Sequence, residues 1–92
     1  MEIRAVSIKP EIQQKIYRKH GILTQEIEAI LTEGKPIFKK AGGNQVMAIG
    51  LFNRYVTIFF EYDSKTKEAD ITTAYQSDRK QVKYYKKTRK IK

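Results

Sequence analysis

The apolar residues of the chain are concentrated at its centre, in residues 45–62, whose sequence is QVMAIGLFNRYVTIFFEY. Polar residues interrupt this block once, at Asn53 and Arg54, and the side chains on each side of the break alternate between two faces that are both largely apolar. The pattern predicts a hairpin of two buried strands joined by a two-residue turn at Asn53 and Arg54. A sheet that is apolar on both faces needs helices or a partner to cover it.

The pattern ahead of this block changes to a helical spacing. Ile8, Ile12 and Ile16 recur at four-residue steps, and Pro10 suits the first turn of a helix because its missing N–H has no partner there in any case. Gly21 is typical of a helix end. These positions predict a first helix that ends at Gly21.

A second helix is predicted directly afterwards. Thr24 is the expected N-cap, and Gly34 and Pro36 stop the helix. Its buried stripe is predicted to contain Ile27, Ile30 and Leu31. Its solvated face is predicted to contain Glu26, Glu28 and Glu33.

The remaining elements flank the central hairpin. A strand is predicted to begin at Ile37 and to end near the turn at residues 41–44, and residues 69–74 form another, with Ile71 and Thr73 on one face. Ser77, supported by Asp78, is the expected cap of a last helix with Val82 and Tyr85 inward. The outward face of that helix is predicted to contain Lys80, Lys83, Lys86, Lys87 and Lys90.

Together these elements predict an α+β fold in the order α-α-β-β-β-β-α, as one domain over residues 1–92. Short connections favour an antiparallel sheet of three or four strands, with the first two helices on one face and the basic helix on the other or across its end. Residues 1–7 are expected to be extended or irregular, with Ile3 and Val6 available for an edge contact.

Charge adds the first indication of function. The net charge is +9, of which residues 77–92 contribute +7, with eight basic residues and one acid. Such a concentration attracts phosphate backbones, although a solvated tail that maintains solubility is the alternative. The chain has no Cys, which excludes disulfides and thiolate metal sites. No cofactor, metal site or membrane association is predicted, and the expected location is the cytoplasm.

Four segments taken in order resemble a known family. R-K-H-G-I at 18–22, E-I-E-A-I-L at 26–31, N-R-Y-V-T-I-F-F at 53–60 and T-T-A at 72–74, before a helix rich in Lys, Arg and Tyr, resemble the BrnT family of type II toxin–antitoxin systems. The resemblance extends over roughly residues 8–90. It implies a RelE-like fold, metal-free RNA cleavage that inhibits translation, neutralisation by a cognate DNA-binding antitoxin, and a possible homodimer within the toxin–antitoxin complex.

The resemblance also assigns residues. His20 corresponds to the histidine of the family's K-H-G segment, Arg54 to the basic residue ahead of the third strand, and Tyr85 to the aromatic residue of the last helix. Leu51 and Tyr75 stand where many members have arginine. If those arginines bind the scissile phosphate, this protein uses other residues or has lost some or all of its nuclease activity.

A metal-free ribonuclease needs a base for the 2′-OH, cations for the charge on the phosphorus oxygens and an acid for the leaving oxygen. The candidate catalytic residues are His20, Arg54, Tyr75 and Arg79. His20 is the only histidine and therefore the side chain that ordinarily changes charge near neutral pH. The alternatives are that His20 caps the first helix, that Arg54 is a solvated turn residue and that Tyr75 belongs to the core or its rim.

Further residues are candidates for RNA contact without chemistry. Lysines bind phosphate without sequence preference, and an exposed tyrosine can stack on a base. The candidates are Lys19, Lys80, Lys83, Tyr84 and Lys87. Three hypotheses remain open: a ribonuclease toxin, a nucleic-acid-binding relative without nuclease activity, and a protein whose basic helix binds an acidic protein surface.

Overall fold

The computed structural model describes residues 1–90, which form three helices and one five-stranded sheet. The elements are β1 (Ala5–Ser7), α1 (Pro10–His20), α2 (Thr24–Thr32), β2 (Ile37–Lys40), β3 (Gln45–Phe52), β4 (Arg54–Asp63), β5 (Glu68–Gln76) and α3 (Arg79–Lys90). The order in the sheet is β1-β5-β4-β3-β2. The predicted α+β class is confirmed. The outward orientation predicted for Lys90 concerns a side chain outside the described part.

The expected count of three or four strands is wrong because residues 5–7 form a fifth strand. This strand runs parallel to β5, with Ala5 opposite Glu68 and Ser7 opposite Asp70, whereas the pairings among β2, β3, β4 and β5 are all antiparallel. Three residues are too few to show the period of two that identifies a strand from sequence. The expected edge contact near Ile3 is present, since Ile3 is buried in the core.

The core lies between one face of the sheet and the helices α1 and α2. The sheet contributes alternate residues of its central strands, among them Ala48, Ile58 and Phe60, and the helices contribute aliphatic side chains at helical spacing. The buried helical and inter-helical side chains are Ile16, Ile22, Ile27, Ile30 and Leu31. The stripe predicted for α2 is therefore confirmed.

Gly50 permits the close approach of α2 to this face. A Cβ built on Gly50 would lie 2.4 Å from Cγ2 of Ile30 and 3.3 Å from Cβ of Pro36. Ile30 is fully buried and cannot move aside without disturbing the core. The strand therefore requires glycine at this position.

Replacing Gly50 with alanine is expected to lower the free energy of unfolding by about 1–3 kcal/mol, the usual range for an overpacked core. Urea denaturation would measure it. Leu51→Ala is the matched control, because Leu51 is the next residue and its side chain is half exposed. Equal stability of the two variants would contradict the close approach.

The ends of α1 agree with the sequence pattern, whereas the predicted start of α2 is wrong. Pro10 is the first residue of α1, and Gly21 closes it with φ of 66°. Leu23, not Thr24, is the N-cap of α2. The carboxylate of Glu26 accepts the Leu23 N–H at 3.0 Å, so Glu26 is buried instead of lying on the solvated face.

The predicted cap of α3 is also wrong by one residue. The Asp78 carboxylate accepts the Gln81 N–H at 2.8 Å, and the Gln81 side-chain oxygen accepts the Asp78 N–H at 2.9 Å. This reciprocal pair is a capping box, and it makes Asp78 the cap. Ser77 instead lies within hydrogen-bond distance of Thr57, at 2.7 Å between the hydroxyl oxygens.

Two irregularities decide which side chains reach the second face of the sheet. Phe59 pairs with Thr73 but Phe60 pairs with Ile71, so β5 bulges between them. The bulge puts Ile71 in the core and turns Thr73 to the other face, which contradicts the shared face predicted for them. In the hairpin, Asn53 alone forms the turn with φ of 66°, and Arg54 begins β4.

Candidate functional site

The second face of the sheet is only partly covered by α3. The helix crosses the row of paired residues Ile37, Ile49 and Thr57, all of which are buried. The next row of paired residues lies beside the helix and is partly exposed to solvent. It consists of Lys39, Met47, Phe59 and Thr73, one from each antiparallel strand. We refer to Met47, Phe59, Thr73 and Tyr75 as the open face.

Aromatic contacts connect this open face to the end of α1. The ring of Tyr75 lies 6.1 Å from that of Phe59 and 5.9 Å from that of His20, measured between centroids. Gly21 ends the helix directly after His20, and the imidazole is exposed at the edge of β5. Two of the candidate catalytic residues, His20 and Tyr75, are therefore adjacent.

A groove of about 220 Å³ runs between α1 and the edge of β5. Lys19 and His20 line it from the helix, and Thr72 and Thr73 line it from the strand. Its polar lining and positive charge suit an anionic group of the size of a phosphate. The candidate RNA-binding residue Lys19 therefore lies next to His20.

The helix α3 borders the open face with basic side chains. Lys80, Tyr84 and Lys87 recur at helical spacing and share one side of the helix. Tyr84 lies toward β2, because the Nζ of Lys39 is 5.0 Å from its ring centroid. Lys83 is exposed. Four candidates for RNA contact therefore lie on the helix that flanks the open face.

Acidic residues gather at the opposite end of the sheet. A cavity of about 570 Å³ beside the turn between β4 and β5 is lined by the carboxylates of Glu61, Asp63, Glu68 and Asp70. A polyanion is repelled there and attracted near α3 and the end of α1. The sheet is therefore acidic at this end and bordered by basic side chains along α3 and at the end of α1.

Arg54 lies next to the end of α1, where its Nε and Nη2 atoms are engaged within the protein. Its guanidinium donates to both carboxylate oxygens of Glu26, at 3.1 and 2.9 Å, and to the Gly21 carbonyl at 2.8 Å. The hydrogen bond from Arg54 lowers the pKa of the Glu26 carboxyl, and the Leu23 N–H lowers it further while burial opposes both. The same pairing raises the pKa of Arg54. These bonds hold the junction of α1 and α2 against β4.

The remaining catalytic candidate, Arg79, is the first residue of α3 and is exposed. Within residues 1–90, no hydrogen bond or cation–π contact connects it to His20 or Tyr75. Tyr85, the aromatic residue assigned to the last helix, packs edge-on against Tyr55 at 5.5 Å and is not on the open face.

Gln81, which donates to the Tyr75 hydroxyl at 2.9 Å, was not among the residues predicted for the site. The signal that could have found it is the spacing Asp-x-x-Gln at residues 78–81, which is typical of a capping box. The partial exposure of Phe59 and Met47 was not predicted either, because an apolar run does not show which face a helix leaves uncovered.

Among residues 1–90, no group of three or more His, Asp or Glu side chains is arranged to hold a metal ion. Over the same residues, none of the helices combines the length and apolar character needed to cross a bilayer.

Comparison with solved structures identifies the class of fold. The chain has the fold of a ribonuclease toxin of the BrnT type. One similar structure is that of the Brucella abortus ribonuclease toxin, BrnT, with a TM-score of 0.67 and 16% sequence identity, covering 82% of this chain and 97% of that one. No family model matches the chain, and none of the curated proteins matches it. At this identity the similarity establishes the fold alone.

Proposed function

We propose that this protein is a metal-independent endoribonuclease that acts as the toxin of a type II toxin–antitoxin pair and inhibits translation by cleaving RNA. The observation that carries the proposal is the contact of the single histidine with Tyr75 at the edge of an open aromatic face. The basic helix beside that face and the fold shared with a ribonuclease toxin support it.

In this proposal a single RNA strand lies across the open face. Tyr75 and Phe59 stack against its bases, as aromatic side chains commonly do with unpaired RNA. Lysines of α3 and Lys19 hold the flanking phosphates. The strand then passes His20, with its scissile phosphate at the groove between α1 and β5.

The reaction is an attack of the 2′-oxygen on the adjacent phosphorus. His20 takes the proton of the 2′-hydroxyl and returns it to the leaving 5′-oxygen, and Arg79 and Lys19 offset the charge that develops on the phosphate oxygens. The bond to the 5′-oxygen breaks, which leaves a 2′,3′-cyclic phosphate and a 5′-hydroxyl. Arg54 is not assigned to these steps, because its Nε and Nη2 atoms donate to Glu26 and Gly21 and hold the side chain at the junction of α1 and α2.

The proposed protein partner is a cognate antitoxin that covers part of the proposed RNA-binding surface with an apolar segment. The tip of the hairpin offers two exposed apolar side chains, Leu51 at 51% and Phe52 at 41% exposure. Exposed apolar residues close together are typical of protein interaction sites. A homodimer within the toxin–antitoxin complex and a cytoplasmic location stay predictions.

The test is incubation of total RNA with the purified protein in excess chelator, followed by end-group analysis. Wild type is expected to generate cyclic phosphate and 5′-hydroxyl ends, and His20→Ala combined with Arg79→Ala is expected to generate none. Lys65→Ala is the control for loss of a positive charge, because Lys65 is exposed at the acidic end of the sheet. Cleavage that survives in the double variant would refute the assignment of the site.

The second candidate function is nucleic-acid binding without cleavage. It is favoured by Leu51 and Tyr75, which occupy positions where the family resemblance leads us to expect arginine. It predicts that wild type leaves RNA intact but binds it with an affinity that falls steeply with salt. Salt-sensitive binding to an acidic protein and not to RNA would instead favour the third hypothesis, a protein partner for the basic helix.

A further inference from the structure

A chain of hydrogen bonds connects the interior of the sheet to the open face. Thr57 is fully buried, and its hydroxyl oxygen lies 2.7 Å from that of Ser77 and 3.0 Å from the side-chain oxygen of Gln81. The side-chain nitrogen of Gln81 lies 2.9 Å from the hydroxyl oxygen of Tyr75. The series of hydrogen bonds therefore connects Ser77, Thr57, Gln81 and Tyr75 in that order.

The direction of every bond in this chain is fixed by one backbone donor. The Asp78 N–H can only donate, and its acceptor at 2.9 Å is the side-chain oxygen of Gln81. That contact orients the amide, so the NH₂ group of Gln81 faces Tyr75 and donates to it. Thr57 must donate to the same Gln81 oxygen, and Ser77 must then donate to Thr57.

The hydroxyl oxygen of Tyr75 therefore accepts a hydrogen bond from Gln81, and its own proton remains available. We propose that Gln81 is a positioning residue that makes the Tyr75 hydroxyl a hydrogen-bond donor to a phosphate oxygen of RNA bound on the open face. This inference rests on the proposed function. A phosphate diester offers only acceptors, so a phenol whose proton has no acceptor within residues 1–90 matches it.

The location of Tyr75 suits such a contact. Its ring lies between those of His20 and Phe59, so the donor would act beside the group proposed to move protons. A hydrogen bond from a neutral hydroxyl to an anionic oxygen is short and stronger than one between neutral groups. Tyr75 would thus hold the phosphate without adding a positive charge.

Gln81→Glu is the decisive variant. A carboxylate of the same shape still accepts from the Asp78 N–H and the Thr57 hydroxyl, and glutamate suits this position of a capping box. It has no proton for Tyr75, so the Tyr75 hydroxyl donates to it and is no longer available to RNA. Thermal unfolding is expected to show that the variant remains folded.

The measurement is the affinity for a 2′-O-methyl oligoribonucleotide, which cannot be cleaved because its 2′-oxygen is blocked. Gln81→Glu and Tyr75→Phe are each expected to weaken binding about tenfold, as for the loss of one hydrogen bond to a charged group. Gln76→Glu controls for the added negative charge, since Gln76 is the next residue after Tyr75 and is exposed. When Tyr75 is already replaced by Phe, Gln81→Glu is expected to weaken binding of the oligonucleotide no more than Gln76→Glu does.

The outcomes separate this inference from the function on which it rests. If wild type does not bind the oligonucleotide, both are overturned. If wild type binds it and Gln81→Glu weakens binding no more than Gln76→Glu does, only the role of Gln81 is overturned. If Gln81→Glu remains costly when Tyr75 is Phe, Gln81 acts on RNA directly or through the fold, and the positioning role is again rejected.

Discussion

Replacing Arg54 with methionine is expected to lower the free energy of unfolding by about 2 kcal/mol at neutral pH. The change leaves the Glu26 carboxylate, which is only 7% exposed, without its charged partner. Removing one partner of a fully buried ion pair costs about 3–5 kcal/mol. The expected loss is smaller here, because 33% of the Arg54 side chain is exposed and water screens the pair. Urea denaturation would measure the difference.

The loss should depend on pH in a defined direction. The pKa of Glu26 in the folded protein is lowered, first by the hydrogen bond from Arg54 and then by the Leu23 N–H. Its stabilising contribution is therefore complete above the ordinary value of 4.5 and disappears as the pH falls through the lower folded pKa. The stability gap between wild type and Arg54→Met is expected to close over that acidic range. A gap that stays constant would contradict the ion pair as its source.

A double variant tests whether Arg54 also binds phosphate. Glu26→Gln combined with Arg54→Met removes both charges while the amide oxygen of glutamine can still accept the Leu23 N–H. Stability is expected to recover in part, as it does when both members of a pair are made neutral. If RNA cleavage recovers as well, Arg54 only holds the junction of α1 and α2. A stable but inactive double variant would return Arg54 to the catalytic residues.

Several parts of the fold that depend on local sequence signals were predicted correctly, although the caps of α2 and α3 were each displaced by one residue. Pro10 and Gly21 delimit α1 because proline and glycine act on their own backbone positions. The apolar alternation of β3 and β4 identified the hairpin because each strand is eight residues or longer. Both signals depend on residues close together in the chain.

Two of the predictions that failed depend on residues far apart. The bulge that separates Ile71 from Thr73 exists only in the pairing of β5 with β4. The pairing of Glu26 with Arg54 connects residues 28 positions apart, so the spacing that predicted a solvated face for Glu26 contained no sign of its partner. A carboxylate is usually solvated unless the fold places a cation beside it.

The candidate site was predictable in its residue types but not in its grouping. The sequence indicated His20 by its uniqueness and Tyr75 by its place before the basic helix, and the fold brings their rings within 5.9 Å. Nothing in the sequence distinguished Arg54 from His20 and Tyr75, although Arg54 donates to the Gly21 carbonyl at the end of α1. The grouping of His20 with Tyr75 results from the contact between the end of α1 and the edge of β5, and that contact depends on the whole sheet.

His20→Ala is expected to lower the rate of RNA cleavage by about 10²- to 10⁴-fold, the usual contribution of a positioned acid or base. The fold should not change, since the imidazole is exposed and the end of α1 is closed by the Gly21 N–H on the Tyr17 carbonyl. Single-turnover cleavage of a defined oligoribonucleotide, with unfolding measured in parallel, separates the two effects. Arg18→Ala is the control on the same helical turn.

The comparison also decides between the two roles considered for this residue. If His20 only capped α1, its substitution would destabilise the protein and leave the cleavage rate per folded molecule unchanged. If His20 is catalytic, its substitution would leave the stability of the protein unchanged and lower the cleavage rate. Binding of the 2′-O-methyl oligonucleotide would be nearly unchanged, because proton transfer stabilises the transition state and not the bound strand. Since Gly21 and Arg54 already satisfy the end of the helix, we expect the second result.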